Sequence, residues 1–481
     1  SSGRLLPTPG GQRGHLWSLE SGLALVIALV VPVGLFMAGL GAFNRVLFPA
    51  LALAFALVLY AKRSPWLIGF MIWLFCTTPL VRRLTDFQAG FDPANPLQVA
   101  PYLVAAVAGL SFLPYLLRPA PRFGTPCLVI ATVVAWGLLL ALIDGRVTSG
   151  AVDALKWMAG PLVAVHLLRH AHQAPAFERV ALGSLVVAAP AMAAYGIAQF
   201  IDPPAYDRLW MIDVRSLGLD SIGAPAPFEV RVFATMNSPG SLAIMLMVGI
   251  VALLARPLLT MLPLLLVTGL GLALTQYRSV WLGTLVAGLV AFLSAPFADR
   301  LKILFGGLVI VVSTGGLALM PEIDRVVSER FESLGRLESD KSGEVRLNEY
   351  QRFFSRSEGL VLGQGIAATG AARQLDGRAV TVIDAGLLEP FIAFGVFGGS
   401  AFFGALLALT WPIVWGPSHR LRSIHVYRGV IAGSLAVLPF GRALVGETGI
   451  GLWLVIGLAL ASLLLEERRA RLKADLHALA P

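Results

Sequence analysis

Residues 23–40 read LALVIALVVPVGLFMAGL, a run with no charge and no period-two alternation. A helix needs about 20 apolar residues to cross ~30 Å of hydrocarbon, and this run nearly supplies them. It is too long for a signal-peptide core, and no small-residue cleavage pattern follows it closely, so it reads as a retained span. Centred near Val31, it is the first of a series. Similar runs centre near Leu53, Ile72, Ala106, Val134, Leu162, Val187, Met247, Val267, Val286, Ile310, Phe397, Val437 and Ile456. The expected fold is an all-α polytopic membrane protein of about 14 transmembrane helices, because continuous runs this long fit helices and not barrel strands.

Composition agrees. The 481 residues are 57% hydrophobic and 14% charged, where a soluble domain carries about 25% charged residues. The net charge of +9 does not point to nucleic acid, since no basic, aromatic-interleaved segment is present. Basic loops facing anionic lipid account for it. Cys76 and Cys127 lie inside apolar runs and make neither a disulfide framework nor a metal site. Ser1-Ser2-Gly3 precede the rest without a Met and are expected to be an addition to the native sequence.

An even number of spans puts both ends on one side. Lys62-Arg63, Arg118, Arg122, Arg169, Arg179, Arg256, Arg300, Lys302, Arg420, Arg422 and Arg428 then share a side with the C-terminal Arg468, Arg469, Arg471 and Lys473, which makes that side cytoplasmic. The expected organisation is a cytoplasmic tail (1–20), an N-terminal transmembrane bundle (21–201), a periplasmic loop (202–237) and central transmembrane helices (238–320). A large periplasmic loop (321–384), C-terminal transmembrane helices (385–466) and a cytoplasmic tail (467–481) follow. Residues 344–357 in the large loop have the pattern of an amphipathic helix, with Val345, Tyr350, Phe353 and Phe354 on its apolar side. Such a helix is expected to lie on the membrane as a lid.

No phosphate loop, zincin helix or nucleophile elbow is present. The chemistry therefore rests on charges at the outer helix mouths. Arg231 precedes one span, within VRVFATMNSP (230–239). Arg278 occupies a short outer turn, QYRSVW (276–281). Two guanidinium groups on one face suit a diphosphate, whose oxygens they match bidentately. Against this, Arg278 can snorkel to headgroups and Arg231 can pair with Glu229. Arg346, Glu349, Arg352 and Arg356 are explained well enough by a solvated, internally paired helix face. Asp384 and Glu389 are candidate bases. Asp384 is also a candidate helix cap. Glu389 lies about one turn inside an apolar run, where an unpaired carboxylate is costly, and Arg442 is its natural partner. The seven histidines fall toward the cytoplasmic side, leaving the outer face without an imidazole base or a His-based metal site.

In their order and spacing these pieces resemble the O-antigen ligase/polymerase superfamily of bacterial membrane glycosyltransferases. The resemblance runs from about Tyr195 to Ala408. It rests on YGIAQF (195–200) closing one span, Arg231 with Asn237 and Pro239, and Arg278-Ser279-x-Trp281. Arg346 in the long loop, Gly363-Gln364-Gly365, and the Gly-rich FGVFGG (394–399) complete it. The resemblance implies a metal-independent, cofactor-free transferase in the inner membrane, acting on undecaprenyl-diphosphate-linked oligosaccharide at the periplasmic face. Arg231, Arg278 and Arg346, with Asn237 and Tyr350, would bind substrate, and Arg231 would also stabilise the leaving phosphate. Ligases of this superfamily carry a catalytic His where this chain has Asp384. That departure looks more like the polymerase branch, with Asp384 the first candidate base and Glu389 the second.

The expectation is thus a polysaccharide (exopolysaccharide or O-antigen) polymerase that joins lipid-linked repeat units with inversion. Membrane lipid and a chain-length regulator are its expected partners, and nucleic acid is not. The alternatives are an O-antigen ligase acting on a lipid A core or other surface acceptor, and a lipid-linked oligosaccharide flippase. A flippase should spread charge through its helices and show a twofold repeat, neither of which is evident. A transferase using polyprenyl-monophosphate sugars is disfavoured, since the first outer turn, 41–44, carries no acid.

Overall fold

The computed structural model describes residues 18–114, 123–216, 222–317, 341–355, 359–381, 383–416, 421 and 423–478. Among them there is no β-strand; two isolated bridges, Gly223 with Val230 and Gly370 with Thr381, occur in loops.

Eight helices are long and apolar enough to cross a bilayer: α1 (Leu19–Met37), α2 (Gly41–Ala61), α3 (Trp66–Ala89), α5 (Gly124–Ile143), α6 (Val147–Arg169), α7 (Ala171–Ile201), α14 (Glu389–Val414) and α16 (Gly446–Leu476). Shorter apolar helices are α4 (Pro96–Phe112), α9 (Pro239–Leu253), α10 (Leu258–Leu274), α11 (Arg278–Ser294) and α15 (Ile424–Val437). The helix α12 (Phe297–Leu317) opens on a charged turn with Asp299. Every expected centre falls on a helix, yet the five shorter ones, at 14–17 residues, extend about 21–26 Å against ~30 Å of hydrocarbon.

The shortening has local causes. α15 stops at Val437, where the expected span has its centre, because Leu438-Pro439 begins an irregular segment that runs to Val445. α9 starts late and sharply. The Ser238 hydroxyl accepts from Ser241 N at 3.2 Å and Pro239 takes the first helical turn, the preferred chemistry of a helix N-terminus. Both stops leave non-helical backbone at one end of the bundle, which is tolerated near lipid only where protein or a cavity covers it.

Residues 202–237, expected as a loop, contain a further helix, α8 (Ala205–Ser216). Its Trp210, Met211 and Val214 pack with Ile222, Val230 and Phe233 in a small core separate from the main one. The amphipathic helix α13 (Lys341–Ser355) forms close to its expected place. Tyr350 and Phe353 turn inward, with Phe353 packing 6.4 Å from the Phe391 ring, but Phe354 is 75% exposed and is not on the docked side. Arg356 lies outside the described residues.

α14 is broken. Gly395 has φ 74° inside it, in the left-handed region that glycine adopts without penalty. The gap is filled by Gly363-Gln364-Gly365. Gln364 N donates to Ile392 O at 2.8 Å, Gly365 N to Ala393 O at 2.9 Å and Val396 N to Leu360 O at 2.8 Å. A Cβ on Gly395 would strike the Val361 carbonyl, and one on Gly365 would meet α5 at Ala141 N and Gly137 O. The two glycine motifs of the sequence are therefore one structural device: a loop inserted beside an interrupted helix, satisfying the backbone groups that the interruption exposes.

Candidate functional site

The loops at this end are fixed by buried charge. On α3, Arg83 makes a 2.8 Å contact from Nε to Asp207 Oδ1 of α8, with both side chains fully buried. The contact is an ion pair rather than a well-angled hydrogen bond. Arg83 also donates to the carbonyls of Ala234 and Met236, and its guanidinium lies 4.9 Å from the centre of the Phe233 ring. Asp207 accepts from Tyr195 Oη at 2.7 Å and Gln199 Nε2 at 2.6 Å, and Gln199 Oε1 accepts from the N–H groups of Phe233 and Ala234. Tyr195 and Gln199 of the 195–200 motif thus hold the segment that carries Arg231.

That segment crosses the end of α10. Val232 N donates to Leu274 O at 3.1 Å, and Arg231 Nη2 donates to Gln276 O at 3.2 Å. Gln276 is followed by Tyr277, the N-cap of α11, and by Arg278 at its first position. The segment 438–445 arrives from another side: Leu438 O accepts from Leu387 N at 2.9 Å and Pro439 O from Tyr350 Oη at 3.0 Å. Gly441 packs so closely that a Cβ there would come within 3.3 Å of Tyr277 Oη and Ser279 Oγ.

Tyr277 marks the meeting point. Burial raises its phenol above the ordinary tyrosine range and the Asp384 charge adds to this, while Arg346, Arg231 and Arg442 oppose it. These groups come from four separate segments, and each is near enough for its charge to be felt by one hydroxyl. Arg231, Arg278 and Arg346 are partly exposed, and Arg346 Nε is buried with no hydrogen-bond partner among the described residues. Tyr350, instead of facing this cluster with a free hydroxyl, ties α13 to Pro439.

Four non-glycine residues here hold left-handed backbone: Phe228 at φ 63°, Ala234 at φ 47°, Gln276 at φ 53° and Ala367 at φ 53°. Phe228 N donates to Phe200 O at 2.8 Å, and each of the other three serves a charged side chain. Ala234 O faces Arg83, Gln276 O faces Arg231, and Ala367 N donates to Asp153 Oδ2 at 2.8 Å. Strain of this kind persists where the surroundings over-determine it, and such places cluster at functional sites.

The candidate bases differ in their surroundings. The expected Glu389–Arg442 ion pair forms, but Glu389 is the first residue of α14 and not a turn inside it. It is buried, and its Oε2 has no hydrogen-bond partner among the described residues. Asp384 is not the cap of α14, because Leu388 holds that position. Its own N–H is capped instead: the Glu349 carboxylate accepts from Asp384 N at 3.2 Å and Ala385 N at 3.1 Å. Asp384 remains half-exposed beside the arginines.

Asn237 lines a neighbouring cavity of about 420 Å³ together with Arg82, Tyr102, Lys156, Trp210 and Glu447. Here Tyr102 Oη donates to Glu447 at 2.7 Å and Arg82 stacks 4.7 Å from the Trp210 ring. Sequence reading passed over Arg82, Arg83 and Asp207. The signal was available, since two adjacent arginines near the end of an apolar run demand partners. Among the described residues no three His, Cys, Asp or Glu side chains come together as a metal-ligand set. In comparisons with known proteins, no family model and no curated protein matches the chain.

Proposed function

We propose that the protein is a polysaccharide polymerase of the bacterial inner membrane, a metal-independent glycosyltransferase whose donor is a glycan on undecaprenyl diphosphate. The observation that carries this reading is the convergence of Arg231, Arg346, Arg442 and Asp384 on Tyr277, with Arg278 one residue beyond. Arginine forks at the exposed rim of a membrane bundle suit a diphosphate. In the proposed reaction an acceptor hydroxyl attacks the anomeric carbon of the donor, the bond to the diphosphate breaks with inversion, and Arg231 and Arg278 stabilise the charge that collects on the departing phosphate. Asp384, half-exposed, takes the hydroxyl proton. Glu389 is engaged by Arg442 and serves as a structural anion. On this reading all fourteen apolar segments associate with the bilayer, both termini are cytoplasmic and the arginine rim faces the periplasm.

The same donor chemistry fits a ligase, which differs in its acceptor. A flippase for lipid-linked oligosaccharide is the reading favoured by one specific observation, the interruption of α14 at Gly395, because transporters often build substrate sites on broken helices. The test is polymer length on a gel, in a strain lacking the native copy and with purified protein supplied with lipid-linked repeat units. Arg231→Ala and Arg278→Ala are expected to abolish polymer while the protein remains folded and inserted, and EDTA is expected to leave the reaction intact. Wild-type banding from both variants would end the assignment. Failure of purified wild-type protein to polymerise would favour the flippase.

A further inference from the structure

A polymerase handles two lipid-linked substrates at once, whereas the rim around Tyr277 supplies one set of arginines. A second set lies on the far side of α13. A hollow of about 440 Å³ is lined by Arg352 and Arg373, by the polar Gln364 and Thr369, and by the rings of Phe353 and Phe391. Its volume is that of a ligand site, and its walls divide into a cationic, hydrogen-bonding part and an aromatic part. Arg373 comes from the 3₁₀ turn Ala371–Asp376. It donates from Nη1 to Ala368 O, while its Nε is buried with no hydrogen-bond partner among the described residues. Arg352 extends from α13 and is exposed.

The helix geometry separates the two sets. Arg346 and Arg352 are six positions apart, which at 100° per residue places them about 120° apart around α13. Arg346 is therefore directed to the Tyr277 rim and Arg352 to the hollow. Glu349 lies between them and also lines the hollow. Its two carboxylate oxygens accept from the Asp384 and Ala385 N–H groups, so its negative charge is spent on the wall that divides the two sites. Phe353 and Phe391 pack at 6.4 Å, and Leu360, Leu388 and Ile392 extend this apolar wall of the hollow.

We propose that this hollow is a second site for a prenyl-linked diphosphate, holding the acceptor substrate, with Arg352 and Arg373 on the phosphates and the aromatic wall along the first prenyl units. The inference rests on the polymerase reading. It assigns α13 as the partition between donor and acceptor, with Asp384 at the boundary where the acceptor hydroxyl must lose its proton. A ligase acting on a diphosphate-free acceptor has no use for such a site.

The test is native mass spectrometry of the purified full-length protein with undecaprenyl diphosphate as the probe. Wild type is expected to bind two molecules, with inorganic pyrophosphate competing and phosphatidylglycerol not displacing them. Arg352→Glu, at an exposed position that leaves the fold intact, and Arg373→Ala are each expected to leave one, and Arg373→Lys to retain the second at more than tenfold weaker affinity. Arg231→Ala with Arg278→Ala is also expected to leave one, by loss of the other site. One molecule on wild type, or two on Arg352→Glu and Arg373→Ala, overturns the second site alone. Displacement by phosphatidylglycerol overturns it too, marking the hollow as a headgroup site. Two molecules on the Arg231/Arg278 variant would overturn the donor site on which the proposal rests.

Discussion

Arg83 and the rim arginines Arg231, Arg278 and Arg346 belong to the same end of the bundle, yet their surroundings differ in every physical respect. The Arg83 side chain is completely buried and is enclosed by a carboxylate, two carbonyls and a ring. The rim arginines are partly exposed and are carried by backbone that other residues hold in place. An enclosed guanidinium can only fix geometry, whereas one at a rim has surface left to meet a ligand. The enclosed arginine makes the exposed one useful: Arg83 holds Ala234 and Met236, and these set the path of the segment that bears Arg231.

If that contrast is right, Arg83→Ala is the most damaging single change. It leaves Asp207 buried without its cation, which costs about 3–5 kcal/mol, and the melting temperature of the detergent-solubilised protein should fall far more than for any rim variant. Replacing the pair together, as Arg83→Met with Asp207→Leu, removes the uncompensated charge but leaves Tyr195, Gln199 and the Ala234 and Met236 carbonyls short of a partner, so it should recover only part of that stability. Gly395→Ala comes next. The backbone at Gly395, φ 74° with ψ 179°, lies in a region that is essentially glycine-only and costs a side-chain-bearing residue on the order of 1–3 kcal/mol, and displacement of the Val361 carbonyl adds to it, so both the melting temperature and protease resistance of residues 359–388 should drop.

Arg231→Ala and Arg278→Ala should lower stability by no more than about 1.5 kcal/mol, the scale of a single hydrogen bond such as that from Arg231 to Gln276, while abolishing polymer. A melting loss as large as that of Arg83→Ala would erase the distinction. The smallest effect concerns the loop that carries Asp376. Hydrogen bonds from Ser149 and Thr148 hold the Asp376 carboxyl below the ordinary carboxylate range. A depressed folded-state value contributes stability that is complete above the unfolded value of about 3.9 and is lost as pH falls through the folded one. The melting difference between wild type and Asp376→Asn should therefore be present at neutral pH and shrink below about pH 4.

The helical membrane fold was legible because apolar runs are long-range signals that survive errors at their ends. Helix ends were not. The run near Val437 continues through Leu438, Leu444 and Val445 in composition, but Pro439 and Gly441 break it into the segment that accepts Tyr350 and Leu387. The arginines stood out as charges at helix mouths, and the Glu389–Arg442 pair followed from the cost of a buried carboxylate. Tyr277 carries no signal of its own beside Arg278, because nothing in a sequence reveals that four distant segments surround one hydroxyl. The Gly363 and Gly395 motifs look independent in the sequence for the same reason. Their relation lies in hydrogen bonds between segments, which periodicity does not encode.

The claim that two arginines of this rim grip a pyrophosphate is tested most directly by a cryo-electron microscopy map of the protein bound to undecaprenyl diphosphate. The account predicts phosphate density within hydrogen-bonding distance of both the Arg231 and Arg278 guanidinium groups, beside Tyr277. A fully occupied diphosphate at the opposite end of the bundle, near Arg63 and Arg169, with neither rim arginine touching phosphate, would contradict it.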